Sequence, residues 1–283
     1  MTHQKTISRE GTLKGIGIHS GQAASVRFKP ADPGSGLQFV VQGRAIPLAS
    51  EGGSEALRCS AIGDGPARVL TVEHVLAAFQ GLGITNGILE VEGPEIPGMD
   101  GSALPFVHFL KGLGIQDQGV EQDAYRITEP IFCHEKNGAV CAYPSETFEI
   151  GYVLDYDHPY LRNQAVQFRI QPDTFEKEIA PARTFCTARE ADELQKKGFG
   201  RGASRENTLV IADDGSHESS LRFKDECARH KVLDILGDLS LLGFPVIAKI
   251  IGLRSGHSLN RKLVEEIRKQ RGLMKTRKED ASR

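Results

Sequence analysis

Glu226-Cys-Ala-Arg-His230-Lys231-Val232-Leu-Asp234-Ile235-Leu236-Gly-Asp238-Leu239-Ser-Leu-Leu242-Gly243 carries two helical faces at once. Val232, Ile235, Leu236, Leu239 and Leu242 recur at i, i+3, i+4, i+7 and i+10, which is one apolar stripe of a helix. His230 and Asp234 are four apart and project together from the opposite side, with Asp238 one further turn along and somewhat rotated. A His and an Asp at that spacing are more often a solvated surface pair. Here the residues after Asp234 run Ile-Leu-Gly-Asp-Leu-Ser-Leu-Leu-Gly-Phe-Pro, too apolar for a helix bathed in water. The polar side is therefore expected to face an internal cleft, and a metal ion is one candidate partner for it.

Outward from this helix, short strand-like runs alternate with helical ones. Residues 5–50 read as strands and turns, with Ala24–Pro30 alternating and Gly-Ser-Gly at 34–36 as a turn. Arg68–Leu70 is a short strand entering a helix over about Thr71–Gln80, with Val72, Val75, Leu76 and Phe79 as its stripe and Gly81 as its stop. Gly87–Glu92 is a strand, and Asp100-Gly-Ser102 opens a helix with Pro105 in its first turn. Residues 115–125 are polar and non-periodic, and a domain boundary is placed there, giving domains 1–120 and 121–272 and a basic tail 273–283 expected to be disordered. The second half restarts with strand-like pieces at Tyr125–Ile131, Ala139–Tyr143 and Phe148–Tyr156. It continues with a helix at Glu190–Lys197, a Gly-rich loop at 198–204 and strands at Thr208–Ala212 and Pro245–Ile251, and it closes on a helix at Ser258–Arg271.

At 283 residues, 39% hydrophobic and 25% charged, the chain can bury one large or two medium cores. A net charge of −2 excludes a global field drawing it to nucleic acid or membrane. There is no apolar leader pattern at residues 1–7 and no run of membrane-spanning length, so a cytoplasmic location is expected. The five cysteines are odd in number, scattered and without a C-x-x-C, which fits free thiols better than a disulfide framework or a cysteine zinc site. A monomer is expected, since no exposed apolar stripe stands out.

A catalytic zinc site takes neutral imidazoles and carboxylates and leaves one position open. His230 and Asp234 supply two ligands, and the best source of a third is Thr71-Val-Glu73-His74. His74 falls in the first turn of its helix, where the dipole disfavours an imidazolium, so it is expected to stay neutral. Glu73, one position back, is placed to reach an attacking water rather than the metal. Arg254-Ser-Gly-His257 follows a strand and precedes the last helix, so His257 stands over a cleft, where Asp238 would hold its ring and raise its pKa. Gly15-Ile-Gly-Ile-His-Ser-Gly21 lacks the lysine of a phosphate loop and reads as a bulged hairpin.

In this order, Gly17-Ile-His-Ser-Gly21, Thr71-Val-Glu-His74, Gly93-Pro-Glu-Ile-Pro97 with Met99-Asp-Gly-Ser102, Ala180-Pro-Ala-Arg-Thr-Phe185, Leu221-Arg-Phe, Arg229-His-Lys-Val-Leu-Asp234, Gly237-Asp-Leu and Ser255-Gly-His257 with Leu259-Asn260 resemble the UDP-3-O-acyl-N-acetylglucosamine deacetylase family over nearly the whole chain. The resemblance implies an α+β fold of two similar two-layer α/β-sandwich domains, each a sheet with helices, packed helices-to-helices around the site. It implies hydrolysis of the N-acetyl group of UDP-3-O-acyl-N-acetylglucosamine to acetate and the free amine, the committed step of lipid A biosynthesis. The cofactor implied is one Zn²⁺ on His74, His230 and Asp234, with Fe²⁺ as the alternative ion in the cell.

Glu73 matches the family's general base, His257 its acid and oxyanion partner, Asp238 the residue paired with that His, and Thr184 an oxyanion hydroxyl. Lys231, Arg254, Phe185 and His19 match substrate-binding positions, with Arg254 standing where a phosphate-binding Lys is usual. Ala203, Arg205, Cys186-Thr187 and Phe39-Val-Val depart from the family pattern, so the positions that touch substrate drift while the metal and acid–base positions do not. The competing expectations are an amidase of the same scaffold acting on another N-acyl sugar nucleotide, and a non-catalytic relative that binds one.

Overall fold

The computed structural model describes residues 2–48, 54–56, 58–217 and 219–272; the expected basic tail lies outside them. Two five-stranded sheets carry the α+β architecture, and they are wound in the same order. The first contains β2 (Gly11–Ile16), β3 (Ala23–Lys29), β4 (Leu37–Val41), β5 (Arg44–Pro47) and β9 (Gly87–Glu92), arranged β2-β3-β9-β4-β5. The second contains β12 (Ile131–Glu135), β13 (Gly138–Tyr143), β14 (Glu149–Leu154), β15 (Gln164–Arg169) and β19 (Lys249–Leu253), arranged β12-β13-β19-β14-β15. In each, a late strand sits in the middle, antiparallel to one neighbour and parallel to the other.

The helices follow the same repetition. Helix α1 (Glu73–Leu82) precedes β9 and α2 (Leu104–Leu113) follows it, while α4 (Glu226–Ser240) precedes β19 and α5 (His257–Gln270) follows it. Between β15 and α4 of the second half comes α3 (Ala188–Lys196), which opens on a capping box between Thr187 and Glu190. The sheets form because alternate residues are apolar: Ala24, Val26 and Phe28 of β3 are buried while their neighbours are not. Phe28 stacks on Phe79 of α1, with ring centroids 6.0 Å apart, which joins the sheet to its helix layer. In the second half Ile150, Tyr152 and Leu154 share a core with Val232, Ile235, Leu236 and Leu239 of α4.

The helix layers of the two halves meet at α1 and α4. On α4 every residue except Arg229 and Lys231 is buried, because its apolar stripe faces its own sheet and its polar side faces α1. The approach is closest at Gly237, where a Cβ would fall 2.2 Å from the backbone oxygen of Glu73. Only a residue without a side chain allows that contact.

Several elements differ from the sequence expectation. Residues 115–121 form strand β10, paired with β1 (His3–Ile7), where a non-periodic boundary was expected. A two-stranded ribbon wet on most of both faces shows no alternation. The piece expected at 125–131 splits into β11 (Tyr125–Arg126), which pairs with β18 (Val246–Ile247), and the first residue of β12, Ile131. Helix α1 runs past Gly81 to Leu82 and stops at Gly83, whose φ of 69° is the left-handed cap. Smaller sheets complete the chain: β6 (Ser54–Ala56), β7 (Cys59–Ile62) and β8 (Val69–Leu70) in one, β16 (Phe185–Thr187) and β17 (Leu209–Ile211) in another. Among the described residues no helix is long and apolar enough to cross a membrane, and all five cysteines are free.

Candidate active site

The start of α1 and the middle of α4 converge on one buried cluster. Thr71 enters α1 in the left-handed region (φ 59°), and its hydroxyl donates to Glu95 Oε1 at 2.8 Å. That bond holds a conformation costly for a β-branched residue. The turn delivers Glu73 and His74 into the interface, each less than 5% exposed. His74, His230 and Asp234 each offer a ligand atom, and these atoms all lie within 4.8 Å of one another.

The donor chemistry of this cluster fits a divalent cation. His230 Nδ1 lies 3.0 Å from the carbonyl oxygen of Ala182. A carbonyl only accepts, so Nδ1 carries the proton and Nε2, 3.3 Å from Asp234 Oδ1, keeps its lone pair. His74 Nδ1 is buried with no hydrogen-bond partner among the described residues. Burial, and then the neighbouring His230, hold the His74 imidazole neutral with a pKa pushed down to about 3. Burial also lowers His230, against the pull of Asp234. The sequence expected a neutral His74 from the helix dipole; the dominant cause is desolvation. Burial works against the Asp234 charge, but the Lys231 ammonium, with protonated His257 beyond it, overcomes it and keeps the carboxyl well below the usual range. Two neutral imidazoles and one carboxylate are donors that suit a divalent cation such as Zn²⁺ or Fe²⁺.

Two titrating groups stand beside the cluster. Glu73 Oε2 accepts from the backbone N–H of Ser60 at 3.0 Å, while Oε1 faces His257 Nε2 at 3.8 Å. Burial raises Glu73 to about 8, opposed by the nearby His257. His257 begins α5, and its Nδ1 donates to Asp238 Oδ2 at 2.8 Å. Burial disfavours its charge, yet the Asp238 carboxylate more than compensates and lifts His257 to about 10. Asn260 Nδ2 donates to the same Asp238 oxygen at 2.8 Å.

A cavity of about 860 Å³ opens over these groups. It is lined by Glu73, His74, His230, Asp234, His257, Thr184, Phe185, Lys231, Arg254 and His19, so all the expected site residues face it except Asp238, which stands behind His257. Lys231 Nζ donates to Asp234 Oδ2 at 2.9 Å and lies 5.6 Å from the centre of the Phe185 ring. Thr184 is fixed through its backbone, donating to the Gly101 carbonyl at 2.8 Å and accepting from Leu209 N at 2.9 Å. Arg254 sits at the rim with its guanidinium on Asp155. The His19 backbone N–H donates to Glu95, and its carbonyl accepts from Arg201 N, so the loop at 17–21 docks on the Gly-rich loop at 198–204.

Of the departing residues, Cys186, Ala203 and Arg205 line the cavity, whereas Thr187 is spent on capping α3. Burial pushes the Cys186 thiol up to about 11, so it is inert near neutrality.

Three contributors went unread in the sequence. Glu95 is fully buried and accepts from His19 N, Ser20 N and Thr71 Oγ1. It stood in the Gly93–Pro97 motif between two prolines, but no role was attached to it. Glu226, also fully buried, binds Arg183 Nε at 2.9 Å and anchors the start of α4 to the loop whose Ala182 carbonyl orients His230. Ser60 has no signal beyond its place in a short apolar strand.

A buried donor cluster, a carboxylate on one side and a carboxylate-anchored imidazole on the other, under one cavity, bring together the kinds of group a hydrolase uses. A family model described as "LpxC: UDP-3-O-acyl N-acetylglycosamine deacetylase" matches residues 4–269. The chain is similar to the UDP-3-O-acyl-N-acetylglucosamine deacetylase of Anaeromyxobacter sp. (strain Fw109-5), 38% identical over 94% of this chain and 88% of the relative. It is similar also to the enzymes of that name from Leptospira biflexa, 37% identical over 95% and 90%, and Thermodesulfovibrio yellowstonii, 37% identical over 94% and 93%. The chain belongs to the UDP-3-O-acyl-N-acetylglucosamine deacetylase family.

Proposed function

We propose that this protein hydrolyses the N-acetyl group of UDP-3-O-acyl-N-acetylglucosamine, releasing acetate and UDP-3-O-acyl-glucosamine in the cytoplasmic synthesis of lipid A. The family membership supports the substrate. The observation that carries the chemistry is Glu73 Oε1 facing His257 Nε2 at 3.8 Å beside the His74–His230–Asp234 cluster. Residues 1–120 and 121–272 act as the two domains between which the site lies, and the protein works as a monomer.

His74, His230 and Asp234 would hold a divalent cation, Zn²⁺ by donor type or Fe²⁺ as its alternative; bound there, it polarises the acetamide carbonyl, lowers the pKa of water toward about 7 and draws down the proton affinity of Glu73. Glu73 Oε2 is pinned by Ser60 N–H, which leaves Oε1 free to take a proton from the attacking water. The hydroxide adds to the acyl carbon. Protonated His257, held by Asp238, presents Nε2–H to the oxygen that gains charge, and Thr184, which lines the same cavity, assists with its hydroxyl. The C–N bond then breaks, and the departing amine takes a proton from His257 or from Glu73. Amine leaving groups need that proton, and each of the two proton-transfer groups is worth roughly 10²–10⁴ in rate. Lys231, Arg254, Phe185 and His19 bind the rest of the sugar nucleotide and its acyl chain.

The test is acetate release from UDP-3-O-acyl-N-acetylglucosamine with acyl chains of several lengths, alongside the bound-metal content of the purified protein. Turnover on at least one chain length is expected. Bound metal without turnover on any of them sinks this assignment, and turnover confined to another N-acyl sugar nucleotide moves it to a different amidase.

A further inference from the structure

Ser60 lies on β7 in the first half, fully buried and absent from the cavity wall. Three of its contacts reach the site's acid–base machinery. Its backbone N–H donates to Glu73 Oε2 at 3.0 Å, its hydroxyl donates to Asp238 Oδ1 at 2.5 Å, and the same oxygen lies 3.4 Å from His257 Nδ1. Asp238, His257 and Asn260 all belong to the second half. The Asp238 carboxylate has His257 and Asn260 on Oδ2, and among the described residues Ser60 alone donates to Oδ1. Ser60 is thus the point where the base of one half touches the anchor of the acid on the other.

We propose that Ser60 is a positioning residue that sets the spacing of Glu73 and His257 across the scissile amide, acting through Asp238. The inference rests on the reading of Glu73 and His257 as base and acid. A fully buried carboxylate oxygen that loses its donor costs the desolvation of that oxygen. The carboxylate then turns to recover a partner, and the His257 ring hydrogen-bonded to it turns as well. Glu73 keeps its bond, because a backbone N–H makes it. Ser60 does not reach the cavity, so substrate binding is left alone and the effect falls on the chemical step.

The experiment compares S60A, S60C and S60T with the wild type for acetate release, bound metal and melting temperature. S60A lowers kcat about tenfold, as removal of a group orienting a site residue typically does, with KM and bound metal unchanged. S60C, close in size but a weak donor, falls between S60A and wild type, and S60T, which restores an oxygen donor, recovers most of the loss. In an H257A background the S60A change shifts kcat by less than about twofold, because a residue acting through His257 has nothing left to position. Wild-type kcat in S60A or in S60C overturns the inference, as does a full S60A loss on top of H257A, or S60T as slow as S60A at an unchanged melting temperature. A wild-type protein that releases no acetate overturns the functional reading itself, which the variants' equality with a working wild type does not.

Discussion

Replacing Gly237 by alanine tests how closely the two halves must approach for the site to exist. The added Cβ would lie 2.2 Å from the Glu73 carbonyl oxygen and 2.9 Å from its Cα, whereas ordinary contact begins at 3.4 Å. The obstacle is helix backbone, which no rotamer change relieves, so α1 and α4 must part by about 1 Å. Glu73 and His74 ride on α1, while His230 and Asp234 ride on α4, so the ligand cluster and the base-to-acid spacing open together. A misplacement of about 1 Å costs on the order of 10²-fold in rate.

Stability responds less. Overpacking costs about 1–3 kcal/mol, and the better helix propensity of alanine returns about 1 kcal/mol. The net loss of roughly 0–2 kcal/mol lowers the melting temperature by only a few degrees in a chain of this size. The expected signature is therefore a kcat loss on the order of 100-fold with a weakened Zn²⁺ affinity and a nearly normal thermal transition. Gly112 of α2, where an added Cβ meets nothing within 4 Å, is the control, and G112A is expected to be neutral or slightly stabilising. If G237A keeps kcat/KM within about threefold of wild type, the close approach of α1 and α4 does not set the site's geometry, and the reasoning fails.

The pH profile of kcat/KM is expected to be bell-shaped. Activity needs Glu73 as carboxylate and His257 as imidazolium, and a bound cation lowers both pKa values, so activity rises as pH passes a value at or below about 8 and falls as pH passes a higher one at or below about 10. E73Q should lose roughly 10²–10⁴ in rate together with the ascending limb; an ascending limb that survives in E73Q assigns it to another group. The pair Arg183–Glu226, 7% and 0% exposed, makes E226A strand a buried guanidinium, which destabilises by about 3–5 kcal/mol in denaturant unfolding. A change of less than about 1 kcal/mol would mean that water reaches Arg183 readily. Chelation should abolish acetate release and lower the melting temperature, with both restored by added Zn²⁺; full activity in the chelated, metal-free protein would remove the cation from the mechanism.

Much of this was legible in residue spacing. The α4 stripe and the His230–Asp234 pair follow from helical period alone, and the buried polar side follows from the apolar run beyond Asp234. The placement of Asp238 on His257 was also readable, since one sits on the helix before the central strand and the other just after it. What stayed hidden depends on long-range approach or on strands without contrast. Strand β15, partly exposed along its length, offers no buried face to read. Ser60 and Glu95 are ordinary residues until the fold brings Asp238 to one and the loop at 17–21 to the other. Gly237 carried no reading of its own beyond its place in the Gly237-Asp-Leu motif, and its contact with Glu73 explains it.

The central strands carry a consequence for how this chain is made. β9 and β19 are the last strands of their sheets to leave the ribosome, yet each lies between two hairpins already synthesised. Until β9 emerges, β3 and β4 present bare edges, and β13 and β14 do the same until β19 emerges. Open edges of that kind recruit other chains. A translation pause or truncation ahead of residue 249 would leave a half-built second sheet and, with α4 already out, an apolar helix face without the completed sheet it packs on. The vulnerable interval of the second sheet therefore spans synthesis from the end of β13 at Tyr143 to the arrival of Lys249, and it ends as the last strand slides between its neighbours and brings His257 in directly behind it.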